Sequence, residues 1–122
     1  MSAGKQLLMI VELGGYPDFT PLYRSLGYEV DIATSGRKAI AFLKRHRPAA
    51  VVAEFNYMPD FRDRMGWLES VLATLQALPE TRVVIFYQPD EQAQFDRLCE
   101  RFSQFTALPQ PIDEAALRAA LS

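Results

Sequence analysis

Five short segments of the chain have the hydrophobic pattern of β-strands. Residues 7–11 and 50–53 are continuous apolar runs, and residues 82–87 are one after the opening Arg82, which is typical of strands covered on both faces. Residues 28–32 alternate apolar and acidic side chains, so they predict a strand with one exposed face. Residues 105–108 predict a last, shorter strand.

Helical spacing of apolar residues follows each predicted strand. In the clearest case the spacing is i, i+3, i+4 and i+7: Leu68, Val71, Leu72 and Leu75. Similar spacing recurs further along: Phe95, Leu98, Cys99 and Phe102. We therefore expect the Cys99 thiol to be packed in the core. The first helix is predicted to be short, with Thr20 as its N-cap, because Gly27 stops it at about Leu26.

Strands that alternate with helices predict a parallel sheet with helices on both faces. We expect a three-layer, doubly wound, flavodoxin-like α/β fold with five strands in the order 2-1-3-4-5, formed by residues 1–122 as a single domain. Such folds place ligands and switches at the carboxyl ends of the strands. In this sequence the residues at those ends are Glu12, Glu54, Tyr87 and Gln110.

Composition excludes several classes of function. The 122 residues are 49% hydrophobic, which suits one compact domain, and a net charge of −2 argues against a nucleic-acid partner. One cysteine and one histidine exclude a disulfide framework and a multi-histidine metal centre. Since no apolar run approaches the ~20 residues that cross a bilayer, we expect a cytoplasmic protein with no membrane partner.

The chain resembles the receiver domains of bacterial response regulators, the CheY-like superfamily. The resemblance covers nearly the whole sequence and depends on the strand–helix order together with short motifs at matching positions: Gly27-Tyr28-Glu29-Val30, Pro48, Met58-Pro59 and Pro111. It implies a bacterial signalling domain in a two-component system, and not an enzyme. Because these residues leave no room for an output domain, we expect a stand-alone module that acts through a protein partner.

The resemblance also implies five chemical positions, and this sequence departs from the family at them: Glu12, Leu13, Glu54, Tyr87 and Gln110. Receivers have two acidic residues for magnesium, an aspartate that accepts phosphate, a Ser or Thr, and a Lys. Leu13 removes a metal-binding carboxylate and Gln110 removes a positive charge, while Glu54 replaces the phosphate acceptor. We therefore expect a pseudo-receiver that keeps the fold, loses aspartate phosphorylation and needs no cofactor, magnesium included.

Two alternatives stay open at the same edge of the sheet. The chain could be an atypical receiver that still binds phosphate or a divalent metal weakly, with Glu12, Glu54 and Asn56 as ligands. It could also be a flavodoxin-like domain that binds a small ligand, although it lacks a glycine-rich phosphate loop.

The resemblance further suggests where signals pass to partners. Tyr87 and Phe105 are switch candidates, and Arg97 and Arg101 are candidates for a homodimer interface made by the fourth helix, fifth strand and fifth helix. The family motif after the third strand is lengthened by residues 60–64, Asp60 to Arg64. We expect this insert either to cover the old phosphorylation pocket or to contact a partner.

Overall fold

The computed structural model describes residues 5–11, 16, 18–55 and 64–121, with the backbone alone for residues 64–67. Strands and helices alternate through these residues. Their bounds are β1 (Lys5–Ile10), α1 (Thr20–Ser25), β2 (Tyr28–Ala33), α2 (Gly36–Arg45), β3 (Ala50–Glu54), α3 (Arg64–Leu75), β4 (Arg82–Tyr87), α4 (Gln92–Arg101), β5 (Thr106–Pro109) and α5 (Glu114–Leu121). A 3₁₀ turn, Pro89–Glu91, precedes α4.

The five strands form one sheet in the order β2-β1-β3-β4-β5, and every neighbouring pair is parallel. The predicted fold class and strand order are therefore confirmed. β1 lies between β2 and β3, so Met9 is paired with Ile32 on one side and with Val52 on the other. This arrangement brings the carboxyl ends of β1, β2 and β3 together at one edge of the sheet.

Alternate residues of the strands pack into two hydrophobic cores, one on each face of the sheet. One core joins the sheet to α2, α3 and α4, through helix residues such as Leu43, Leu72 and Phe95. The other joins the sheet to α1 and α5, through residues such as Leu22 and Leu117. We call these the α2–α4 face and the α1/α5 face.

Helix α1 has only six residues, and its start differs from the prediction. The N-cap is Phe19 rather than Thr20, and the Asp18 carboxylate accepts the Thr20 backbone N–H at 2.9 Å. The carboxylate two residues before Thr20 thus accepts the first helical N–H, and the threonine that the sequence suggested as the cap lies inside the helix. At the other end Gly27 has φ +92°, a conformation that glycine adopts without strain.

The Cys99 prediction was wrong, because the thiol is exposed. Phe95 and Leu98 are the α4 residues that face the core. Cys99 lies about 100° further round the helix than Leu98, beyond the narrow stripe that touches the sheet.

Among the described helices, none is both long enough and apolar enough to span a membrane.

Candidate functional site

Glu54 is the last residue of β3 and the only charged residue that is buried in the described part of the chain. Its exposed fraction is 6%. Ala50 and Val52 on the same strand belong to the core of the α1/α5 face. Because successive strand residues point to opposite faces, the Glu54 side chain lies on that face too.

Two tyrosine phenols lie near enough to Glu54 for its charge to act on them. The Tyr16 hydroxyl donates to the Phe55 carbonyl oxygen at 2.9 Å, while the Tyr23 side chain is fully buried. Burial raises the pKa of both phenols, and the negative charge of Glu54 raises each further. The hydrophobic pattern singled out neither residue. Tyr16 could have been found from its position, because it follows Gly14-Gly15 in the loop at the carboxyl end of the first strand.

Tyr87 lies on the opposite face of the sheet from Glu54. Its ring stacks on the Phe95 ring, with centroids 4.2 Å apart and an interplanar angle of 7°. Phe55 and Phe105 approach the same Phe95 ring edge-on at 5.2 and 5.9 Å. The two predicted switch candidates, Tyr87 and Phe105, are therefore joined through Phe95 in one aromatic cluster. Phe105 precedes β5 and is not part of it.

Gln110 follows β5 and is held by hydrogen bonds at both its backbone and its side chain. Its backbone N–H donates to the Tyr87 carbonyl oxygen at 2.9 Å. Its side-chain oxygen Oε1 accepts the Ile112 N–H at 3.2 Å, within the same loop. The structure thus brings the Tyr87 and Gln110 backbones together, while the Gln110 amide oxygen is engaged by its own loop.

The remaining predicted positions lie outside the described residues. These are Glu12 and Leu13 after β1, Asn56 after β3, and residues 60–63 of the insert, with Arg64 opening α3. Among the residues that the structure does describe, no group of three or more His, Cys, Asp or Glu could hold a metal ion. The weak metal site at Glu12, Glu54 and Asn56 stays a prediction.

The predicted interface arginines differ in their surroundings. Arg101 forms a salt bridge from α4 to Glu69 on α3, with Nη1 3.0 Å from Oε2. The Arg101 side chain is still 67% exposed, and Arg97 is exposed on the same helix. Exposed ion pairs of this kind contribute at most ~1 kcal/mol, so Arg101 stays available for a partner.

Comparison with known proteins identifies similar structures but no similar sequences of known family. No protein-family model and no curated protein matches the chain. A response regulator receiver domain from Clostridium thermocellum superposes with a TM-score of 0.70 at 18% identity, covering 96% of this chain and 90% of that chain. The chemotaxis protein CheY4 of Vibrio cholerae has a TM-score of 0.69 at 15% identity, covering 98% and 97%.

A third similar structure is the receiver domain of a sensor histidine kinase from Pseudomonas aeruginosa PAO1. Its TM-score is 0.60 at 22% identity, and the alignment covers 98% of this chain and 95% of that chain. That structure was solved with a magnesium ion in its active-site cleft. Because the three structures superpose on nearly the whole chain, whose strand order is β2-β1-β3-β4-β5, the chain has the fold of the CheY-like receiver domains of response regulators.

Proposed function

We propose that this chain is a receiver-like signalling domain that acts through protein–protein contacts and is not phosphorylated on aspartate. The observation that carries the proposal is the residue at the acceptor position. Glu54 stands there in place of aspartate, and its exposed fraction is only 6%. An acceptor must meet its phosphodonor in line, and a buried, longer carboxylate is poorly placed for that attack.

The groups that would stabilise a transferring phosphoryl group also support the proposal. A phosphoryl transition state needs fixed positive charge and hydrogen-bond donors aimed at its oxygens. Gln110 is neutral, and its amide oxygen already accepts the Ile112 N–H. The Tyr87 ring stacks on Phe95, on the face of the sheet opposite Glu54. Neither side chain resembles the Lys or the Ser/Thr of the receiver pattern.

The fit to magnesium is poor as well. The receiver of the Pseudomonas aeruginosa histidine kinase holds a magnesium ion in its cleft. Magnesium requires oxygen ligands in near-octahedral geometry, and Leu13 offers none where the receiver pattern has a second acid. Glu54 is buried and its charge acts on the phenols of Tyr16 and Tyr23, which fits a structural carboxylate better than a ligand of a hydrated ion. We therefore derive no step through a metal.

A phosphodonor assay tests the proposal directly. The full chain is incubated with acetyl phosphate and magnesium, and its intact mass is measured. We expect no phosphoryl adduct on the native protein or on Glu54→Asp, because Leu13 and Gln110 still remove a ligand and a charge. A variant that combines Leu13→Asp, Glu54→Asp, Tyr87→Thr and Gln110→Lys is the positive control, and a CheY-type receiver checks the reagent.

The protein on which a phosphoryl adduct forms decides between a pseudo-receiver and an atypical phospho-receiver. An adduct on the native protein overturns the proposal and favours the atypical phospho-receiver, and peptide mapping then identifies the residue that carries the phosphate. An adduct on the fourfold variant alone supports the proposal, because it shows that the fold accepts the chemistry once the side chains are restored.

A further inference from the structure

An apolar pocket opens beside Glu54, at the carboxyl ends of β1 and β2. Its volume is about 270 Å³. Three aliphatic or thioether side chains form its floor: Met9, Val11 and Ile32. Hydroxyl groups of Tyr16 and Thr34 lie on its wall. All of these residues belong to the described part of the chain.

The pocket lies at a corner of the sheet that the described helices do not cover. Met9 and Ile32 are paired across β1 and β2, and α1 begins at Thr20 and has only six residues. Ile32 is consequently 61% exposed, and it is the one large hydrophobic residue so exposed in the described part of the chain.

Among the described residues that line the pocket, the charged groups are carboxylates. Asp18 is exposed at the rim and Glu54 is buried at the inner end. Hydrogen bonds from Thr20 hold the pKa of Asp18 below its usual value, so this carboxylate is ionised at neutral pH. The nearest described cations lie outside the lining: Lys38 bonds the Thr34 hydroxyl at 3.3 Å, and Arg24 acts on Asp18 electrostatically.

We propose that this pocket binds an arginine or lysine side chain of a protein partner. The inference rests on the proposed function and deepens it by naming a surface and the chemistry that the surface recognises. The aliphatic stem of the basic side chain lies on Met9, Val11 and Ile32, and its cationic head reaches Asp18 at the rim. Arginine and lysine are the side chains that combine a long apolar stem with a positive charge.

Size and charge both favour this occupant. A volume of about 270 Å³ is smaller than the ~300–1,000 Å³ of pockets that enclose drug-sized ligands, so it suits one anchoring side chain. An anionic ligand would be repelled by Asp18 and Glu54, and a purely aliphatic one would gain no attraction from the Asp18 carboxylate.

The test is an NMR titration of the full, isotope-labelled chain with blocked amino acids. The probes are the N-acetyl methylamides of arginine, lysine, norleucine and glutamate. We expect saturable shifts of the Met9, Ile32 and Thr34 amides with the two basic probes, and weaker shifts with norleucine. Asp18→Asn keeps the oxygen that accepts from Thr20 but removes the charge, and Ile32→Ser removes the floor. Each should weaken binding roughly two- to fivefold.

Glu29→Gln is the matched control, because Glu29 is an exposed acid on β2 that does not line the pocket. Its affinity for the basic probes should equal that of the native chain. Equal shifts with norleucine and arginine, or no saturable shift with any probe, would overturn the inference. Agmatine binding at least as tightly as the blocked arginine would also overturn it, in favour of a small-molecule amine. The phosphodonor assay fails or succeeds independently, so an adduct there beside normal arginine binding here would reject only the proposed function.

Discussion

At the scale of single residues, two buried tyrosines of the α1/α5 face show how differently one hydroxyl group can contribute to stability. The Tyr28 hydroxyl donates to the Leu121 carbonyl oxygen at 2.7 Å, which ties β2 to the end of α5. The Tyr23 hydroxyl is equally buried, but it has no hydrogen-bond partner among the described residues. A buried polar group without a partner costs free energy, whereas a satisfied one contributes modestly to stability.

Phenylalanine substitutions separate the two cases. Tyr28→Phe should lower the free energy of unfolding by about 1–2 kcal/mol, because it leaves the Leu121 carbonyl without its donor. Tyr23→Phe should leave stability unchanged or raise it slightly, since no hydrogen bond is lost. Urea denaturation of both variants checks the prediction, with circular dichroism to confirm the native fold. An equal loss in the two variants would show that Tyr23 has a bound water or other partner in solution.

The apolar run of β3 placed Glu54 at the end of the strand, but it could not show on which face of the sheet the Glu54 side chain lies. Residues 50–53 are all buried, so the apolar run has no polar–apolar alternation from which to determine which side each residue takes. The same limit applied to Tyr87, whose side chain lies on the face of the sheet opposite Glu54. Only the positions of α1, α4 and α5 over the sheet resolve this question.

At the scale of elements, the aromatic cluster on the α2–α4 face attaches α4 to the rest of the fold. Phe95 is 1% exposed and contacts the rings of Tyr87, Phe55 and Phe105, which lie in β4, just after β3 and just before β5. A helix held by one central ring should respond strongly to changes around that ring.

Tyr87→Thr, which restores a side chain of the receiver type, should therefore loosen α4. We expect faster amide hydrogen exchange across Gln92–Arg101, equivalent to a loss of about 1–2 kcal/mol of local stability, because the stacked ring is removed. Tyr87→Phe keeps the ring and should exchange at the native rate. Unchanged exchange in Tyr87→Thr would mean that Phe55 and Phe105 hold the helix without help.

Hydrophobic spacing predicted which segments are strands and which are helices, and the errors concerned the roles of single residues within them. Cys99 satisfied the helical spacing, yet the contact stripe of α4 is only wide enough for Phe95 and Leu98. Thr20 satisfied the capping pattern, but its backbone N–H and its hydroxyl both donate to the Asp18 carboxylate, so Thr20 is the first helical residue and not the cap. Both errors arise from competition between neighbouring residues, which a pattern of residue types does not rank.

At the scale of the whole molecule, the strand order followed from the alternation of strands and helices alone. Parallel strands with right-handed crossovers leave few possible arrangements for five units, and the observed β2-β1-β3-β4-β5 is a common one. What the order did not reveal was the uncovered corner at Ile32, because that depends on the length of α1 and on the register of β1 with β2.

The raised pKa values of the Tyr16 and Tyr23 phenols predict how the stability of the folded state depends on pH. Tyr16 and Tyr23 titrate near pH 10.0 in an unfolded chain, and burial raises the pKa of both in the folded one. Above that pH the unfolded chain loses protons that the folded chain keeps, so stability should fall as pH rises beyond 10. Phenolate absorbance and circular dichroism, followed together against pH, should show ionisation coinciding with unfolding. The decline should be shallower in Tyr23→Phe, and identical slopes would contradict the assignment.

The exposed thiol on α4 makes the native sequence suitable for site-specific labelling. Cys99 is the single cysteine of the chain, so a maleimide fluorophore would attach at one known place without any engineered substitution. Partial burial and the nearby Asp96 raise the pKa of the thiol, so labelling calls for mildly alkaline buffer. A dye at this position is one residue from Leu98, on the helix that Phe95 anchors. Its anisotropy would report both the loosening of α4 and the arrival of a partner on that surface.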